Sequence, residues 1–338
     1  MKITKIPGLG RFGIFIDDVN FSTITDEEWL HIGQLHLESL VTILRNVTIA
    51  PAEYERRMAQ WGRPRHLADY QLGLKYANGG EVDPVDLAIS NQAKHIMATE
   101  VGPDSMIARV AGGRDADGNP LGMFAEGELL WHSNESGNLC FSPFVSLLGV
   151  KNVVGSATGF VTTADWYEEQ SSGFKSELDE MIIKHEFTPG KINPGLNLEQ
   201  DLVMFRNMCP EPSEIPLIIQ SPGGIKGLHY SINTINSIKG MSQLDSQKMF
   251  DHINKTLFVE KYIYDHWWPQ DNDLLLFDNS ITLHRRLGDI KNRLCYRIQF
   301  DIDNLNVSEN RYFKEPFASA YREELKKLKE FYQPKIDQ

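Results

Sequence analysis

Leu130-Trp131-His132-Ser133-Asn134-Glu135 is the stretch on which the reading of this chain turns. One His follows an apolar pair and is followed at once by small, oxygen-bearing side chains. Side chains alternate with period two along a strand, so a strand here sends His132 and Asn134 to one face and Glu135 to the other. A rigid backbone that offers one imidazole and one oxygen from neighbouring positions provides half of a metal site.

The second half is found far downstream, in Asp273-Leu-Leu-Leu-Phe277-Asp278-Asn279-Ser280-Ile-Thr-Leu283-His284. An unbroken apolar run reads as a strand, Asp-Asn-Ser as a turn, and His284 follows. Arg293-Leu-Cys-Tyr-Arg297-Ile-Gln-Phe-Asp301 then alternates basic or polar with apolar residues. Arg293 and Arg297 are four apart, so a strand puts them on one face. Arginine suits bidentate carboxylate recognition. Two His and an oxygen ligand with open positions are the donor set of non-haem Fe(II) oxygenases, and a nearby Arg could hold the far carboxylate of a 2-oxo acid.

Taken in order, these segments resemble the taurine dioxygenase-like family of Fe(II)/2-oxoglutarate oxygenases. The matching stretches are Trp131 to Asn134, Gly155-Ser-Ala-Thr158 through Tyr167, Trp268-Pro-Gln-Asp-Asn-Asp273 through His284, and Arg293-Leu-Cys-Tyr-Arg297. The resemblance spans most of residues 55 to 303. It implies a mixed α+β, mainly β fold: a double-stranded β-helix (jelly roll) core with flanking helices, as a single oxygenase domain over 1–338. It implies Fe(II), 2-oxoglutarate as co-substrate, and O2. It places His132, Asn134 and His284 at the metal, and Thr158, Arg297 and Arg293 at the 2-oxoglutarate carboxylate. It sets a substrate loop at Arg63 to Tyr70, with Arg65, His66 and Tyr70 toward the pocket, joined by His229 and Tyr230. One departure stands out: the family reads His-X-Asp or His-X-Glu where this chain has His132-Ser133-Asn134.

That departure leaves the third ligand open. Asn134 offers a neutral amide oxygen, which raises the net charge of the centre by about one unit relative to an ionised carboxylate. Glu135 carries the charge but needs a bulge to reach the metal face. An empty position there would give a halogenase-type variant. The main reading is hydroxylation of an unactivated C–H in a small polar metabolite such as an amino acid, with 2-oxoglutarate going to succinate and CO2. A binding or regulatory protein with a degraded metal site is the alternative.

Composition is compatible with this reading. The chain has 338 residues, 41% hydrophobic and 24% charged, ample to bury a core. A net charge of −12 argues against non-specific nucleic-acid binding, which needs clustered Lys and Arg. Cys140, Cys209 and Cys295 fit neither a metal nor a disulfide spacing, and so sparse an odd count suits a reducing cytoplasm. Neither a signal peptide nor a membrane span is expected, because no apolar run is long enough. The family allows a homo-oligomer.

Along the chain, residues 11–17 and 41–49 read as strands. Thr25-Asp-Glu-Glu28 fits a capping box for the helix that follows. Pro51 opens a second helix that Gly62 stops. The run from Gly112 to Pro120 is turn chemistry, and its likeness to a calcium loop fails at Pro120, where that loop needs Gly. Ala164 to Leu178 reads as one helix, 190–215 as an insertion or lid, Pro216 to Tyr230 as strand, Gly-rich turn and strand, and Ser242 to Tyr264 as helical. Trp268 reads as a core anchor. The C-terminal helix is expected over 314–338.

Overall fold

The computed structural model describes residues 1–65, 96–98, 100–102, 104–186, 213–307 and 312–331. The first half contains β1 (Lys2–Lys5), β2 (Ile14–Asp17), α1 (Asp26–Ser39), β3 (Val41–Leu44) and α2 (Pro51–Trp61). Next come β4 (Ala108–Ala111), β5 (Leu129–His132), β6 (Phe144–Lys151) and β7 (Ser156–Thr162). Then α3 (Thr163–Glu168) and α4 (Ser172–Glu180) lead to β8 (Ile182–His185). The remainder holds β9 (Ser213–Pro216), β10 (Ile218–Gln220), β11 (Lys226–Leu228), β12 (Ile235–Ile238), α5 (Gln243–Leu257), β13 (Ile263–Trp267), β14 (Leu274–Asp278), β15 (Thr282–Gly288), β16 (Leu294–Phe300) and α6 (Phe317–Phe331).

Two sheets face each other. The larger has the order β1-β2-β3-β14-β6-β16-β4 and the smaller β13-β7-β15-β5. β14 explains the unbroken apolar run: Leu274 and Leu276 point out to α1 and α2, while Leu275 and Phe277 point in between the sheets. A strand covered on both faces is apolar throughout. β16 is sided differently. Tyr296, Ile298 and Phe300 join the outer cluster around Trp29, Tyr54 and Trp61, so Cys295, Arg297 and Gln299 fall on the inner face. Polar side chains thus point into the protein and apolar ones point out, which makes sense only if helices cover the outside and a polar site occupies the inside.

A second outer cluster, with Trp131, Val161 and Leu283 against Phe250, Ile253 and Leu257 of α5, covers the smaller sheet. Gly159 lies where the Arg285–Asp265 ion pair crosses the strand; a Cβ there would sit 2.2 Å from Asp265 Oδ1. The mixed, mainly β jelly roll is therefore the fold, as the resemblance implied.

Local details adjust the expectations. The Thr25–Glu28 capping box is present, with Glu28 N donating to Thr25 Oγ1 at 3.1 Å and Thr25 N to Glu28 Oε2 at 2.8 Å. The expected 41–49 strand ends at Leu44, because Asn46 turns with a positive φ and donates its N–H to Asp273. The helix expected over 164–178 is two helices, since Ser171 caps the second. The Gly112–Pro120 run is a closed turn in which Asp115 accepts from the N–H groups of Asp117 and Asn119, and Glu126 pairs with Arg114.

Candidate active site

Antiparallel pairing of β15 with β5 sets His284 directly opposite His132. Their ring centroids lie 4.1 Å apart, and His132 is buried. The Leu130 carbonyl sits 2.7 Å from His132 Nδ1. A carbonyl only accepts, so Nδ1 carries the proton and the Nε2 lone pair stays available. Burial pushes His132 down to about 4, with Arg297 and Arg286 adding to the fall and the Leu130 carbonyl opposing it. Burial, then His132 and Arg297, hold His284 well below its usual value. Both rings are neutral near pH 7, the form that binds a metal. His284 Nδ1 is buried without a hydrogen-bond partner among the described residues.

β5 stops at His132, so Asn134 sits in a turn rather than on a strand. What holds it there is Asn279, in the turn between β14 and β15. Asn134 N donates to Asn279 Oδ1 at 2.8 Å, and Asn279 Nδ2 donates to the carbonyls of Asn134 and Ser142, both at 2.9 Å. Glu135 adopts a φ of 60°, which turns its carboxylate back into the protein. That carboxylate accepts from Ser142 N at 2.6 Å and from Gln299 Nε2. Gln299 Oε1 accepts from Asn134 Nδ2 at 3.3 Å. Among the described residues no group of three His, Cys, Asp or Glu is placed to hold a metal, so Glu135 does not join the two imidazoles.

Three buried arginines surround this core, and none makes an ion pair among the described residues: Arg286, Arg293 and Arg297. Arg286 donates to the carbonyls of Phe124, Glu126 and Gly127, and burial lowers it to about 9. Arg293 lies near Thr158, with Nη2 3.5 Å from Oγ1, and its guanidinium is 5.6 Å from the Trp268 ring centroid. Trp268 Nε1 also donates to Thr158 Oγ1, at 3.3 Å. Burial lowers Arg297 to about 10, against the opposing pull of Glu135. Arg293 Nη1 and Arg297 Nε are buried without hydrogen-bond partners among the described residues.

The expected residues thus separate into groups. His132 pairs with His284 and both feel the Arg297 charge, Asn134 lies in the turn after β5 against Asn279 and Gln299, and Thr158 goes with Arg293 rather than with Arg297. Tyr230 is a correction: it is buried in the outer cluster, with its hydroxyl on Asn254 at 3.0 Å, because its neighbour His229 takes the inward position. Arg65 is another: it is spent on Asp301, 3.4 Å away, on the Phe141 carbonyl and on Ser142 Oγ. Arg286, beside His284, is buried on loop carbonyls. His66, Tyr70 and most of the 190–215 segment lie outside the described residues. The expected C-terminal helix is α6. Asn279 and Gln299 had no signal of their own in the sequence. Asn279 was legible only as a turn residue, and Gln299 only as the inward partner of Arg297 by period two.

Two neutral imidazoles and an amide oxygen can hold Fe(II), and two buried guanidiniums with spare N–H groups can take carboxylates. The donor set fits the expected metal and co-substrate. The structure of AAD-2 in complex with Mn(II) and N-oxalylglycine is similar at a TM-score of 0.64 and 17% identity, over 92% of this chain and 100% of that one. A taurine dioxygenase from Burkholderia xenovorans matches at 0.62 and 17%, over 94% and 98%. A putative alpha-ketoglutarate-dependent taurine dioxygenase from the same organism matches at 0.63 and 18%, over 95% and 98%. At such identities these likenesses show the fold. No curated protein sequence matches the chain. The profile of the "Taurine catabolism dioxygenase TauD, TfdA family" matches residues 2–299. With nearly the whole jelly roll inside that match, the chain belongs to the TauD, TfdA family and is a dioxygenase that uses Fe(II), 2-oxoglutarate and O2.

Proposed function

We propose that this dioxygenase hydroxylates an unactivated C–H bond of a small polar metabolite such as an amino acid. The observation that carries the reading is the His132–His284 pair facing Arg297, with Arg293 beside Thr158. In this reading His132, His284 and Asn134 hold the metal. Bound Fe(II) couples reduction of O2 and decarboxylation of 2-oxoglutarate to oxidation of the substrate.

The chain's own residues provide position and charge. Arg293 and Thr158 take the far carboxylate of 2-oxoglutarate, since a buried guanidinium without a carboxylate is costly until one arrives. The Trp268 ring closes that corner and its N–H fixes the Thr158 hydroxyl. Arg297, whose charge is felt at both imidazoles, takes an anionic group nearer the metal, such as a substrate carboxylate. The Phe160 and Phe277 rings behind His284 keep water out. A chain of net charge −12 supports a small-molecule rather than a nucleic-acid substrate.

An anaerobic titration with Fe(II) and 2-oxoglutarate tests the site, read by the visible metal-to-ligand charge-transfer band. The expected result is a band in the wild type that His132→Ala abolishes. Absence of the band in the wild type would overturn the reading. Succinate release stimulated by one member of an amino-acid panel, with a product heavier by one oxygen, tests the substrate class.

A further inference from the structure

We infer that Glu135 and Gln299 are positioning residues that turn the Asn134 amide so that its Oδ1 becomes the third metal ligand. The inference rests on the metal site proposed above and explains how it works without a ligand carboxylate. The Glu135 carboxylate accepts from Ser142 N at 2.6 Å and from Gln299. A carboxylate takes donors, so the Gln299 amide has only one compatible orientation, with Nε2 toward Glu135. That leaves Gln299 Oε1 facing Asn134. An oxygen there accepts, so the Asn134 amide in turn presents Nδ2, at 3.3 Å. The orientation of each amide is set by the one before it. Asn134 Oδ1 is left without a hydrogen bond among the described residues. Meanwhile Asn279 clamps the Asn134 backbone on both sides, which fixes where that oxygen sits.

Charge supports the same assignment. Two neutral imidazoles and a neutral amide leave a divalent ion under-compensated. The carboxylate that would normally be a ligand is here one residue along, at Glu135, and acts through the Gln299 and Asn134 amides. Ligand groups are commonly tuned by partners of this kind, whose loss lowers metal affinity about 10- to 100-fold. The backbone is also consistent. A non-glycine residue rarely adopts a φ of 60°, and at Glu135 that conformation brings the carboxylate onto Ser142 and Gln299.

The test uses full-length protein and Co(II) as the probe, with dissociation constants and visible absorption measured without turnover. Glu135→Gln frees both amides to flip, and the expected result is Co(II) binding weakened about 10- to 100-fold with a changed absorption envelope. Adding Asn134→Asp to that variant restores binding, because a carboxylate ligand offers oxygen in either orientation. Gln299→Leu breaks the relay without touching Glu135, should Glu135→Gln fail to fold, and the same rescue is expected. Three results would overturn the inference: unchanged Co(II) affinity in Glu135→Gln or Gln299→Leu, no rescue by Asn134→Asp, or Co(II) binding in Asn134→Ala equal to wild type. The last would leave the two-His site intact with an open position. No Co(II) binding by the wild type would instead bring down the metal-site proposal itself, so the two failures are distinguishable.

Discussion

Arg65 and Arg293 are both buried, yet they do opposite things. Arg65 has Asp301 at 3.4 Å and a carbonyl and a hydroxyl around it. Burial works to lower its pKa, but Asp301 and Glu135 outweigh burial and hold it above its usual value. Arg293 has a thiol and a hydroxyl as neighbours, and among the described residues it has no carboxylate partner and its Nη1 is unpartnered. Burying a charge is expensive unless it is paired. Arg65 Nη1, like Arg293 Nη1, has no hydrogen-bond partner among the described residues, but the Arg65 charge is met by the Asp301 carboxylate, so it belongs to the fold. The corner beside Thr158 leaves its pairing undone, which is what a site awaiting an anionic ligand looks like.

The comparison breaks first at the metal. His132→Ala or His284→Ala should lower Fe(II) affinity by more than about 100-fold, beyond the loss of an outer partner, and abolish turnover with the fold retained. Isothermal titration under argon and circular dichroism check both halves. Next come the arginines. Arg65→Met leaves Asp301 buried without its partner and should cost about 3–5 kcal/mol of stability, read by urea unfolding. Arg293→Met removes an unpaired charge and should leave stability unchanged or raised. Its cost falls on 2-oxoglutarate instead: loss of a charge-assisted contact worth about 1.5–3 kcal/mol weakens binding roughly 10- to 100-fold. Equal stability losses in the two variants would erase the distinction between them.

Acid should separate the histidines in the same way. Burial lowers His36 and His185 to about 3, and His132 and His229 to about 4. The unfolded chain takes up protons below about 6.5, while the folded chain refuses them until pH 3–4. Their contribution to stability is therefore complete above pH 6.5 and is lost as pH falls toward 4. Asp278 works the other way, since burial raises it to about 6 and its penalty grows as pH rises through that value. Unfolding followed across pH 4 to 7 should show the acid loss with and without metal. Added Co(II) should steepen it, and His132→Gln, but not His36→Gln, should remove the metal-dependent part. The smallest effect belongs to Tyr230→Phe. It loses one hydrogen bond to Asn254 and should cost about 1 kcal/mol, with kcat/KM unchanged. A fall in kcat/KM would return Tyr230 to the pocket.

Legibility followed how local each signal was. The capping box at Thr25, Pro51 at a helix start and the apolar run of β14 depend on neighbours a few residues apart, and they read correctly. His132 and His284 were readable because each sits beside a strand with its own pattern. Thr158 was readable, but its partner was not. Arg293 and Arg297 lie on one strand face, and only the register of β16 against β6 and β7 against β15 decides which meets Thr158. Tyr230 and His229 are adjacent, and alternation sends one to the outer cluster and the other to the Ser280 carbonyl and the Phe141 ring. Arg65 looked like a pocket residue until Asp301, 236 positions downstream, proved to be beside it.

The sequence by itself determined the jelly-roll class, the two histidines beside their strands, the pair of arginines on one strand and an amide in place of a carboxylate at position 134, because residue type and short-range period carry those facts. Only the tertiary structure decided where the missing charge is placed. Glu135 meets Gln299 and Ser142, and Asn134 meets Asn279 and Gln299, across sequence gaps of up to 165 residues. A hydrogen-bond orientation is a property of partners, and no pattern within one segment can name a partner that a different sheet supplies.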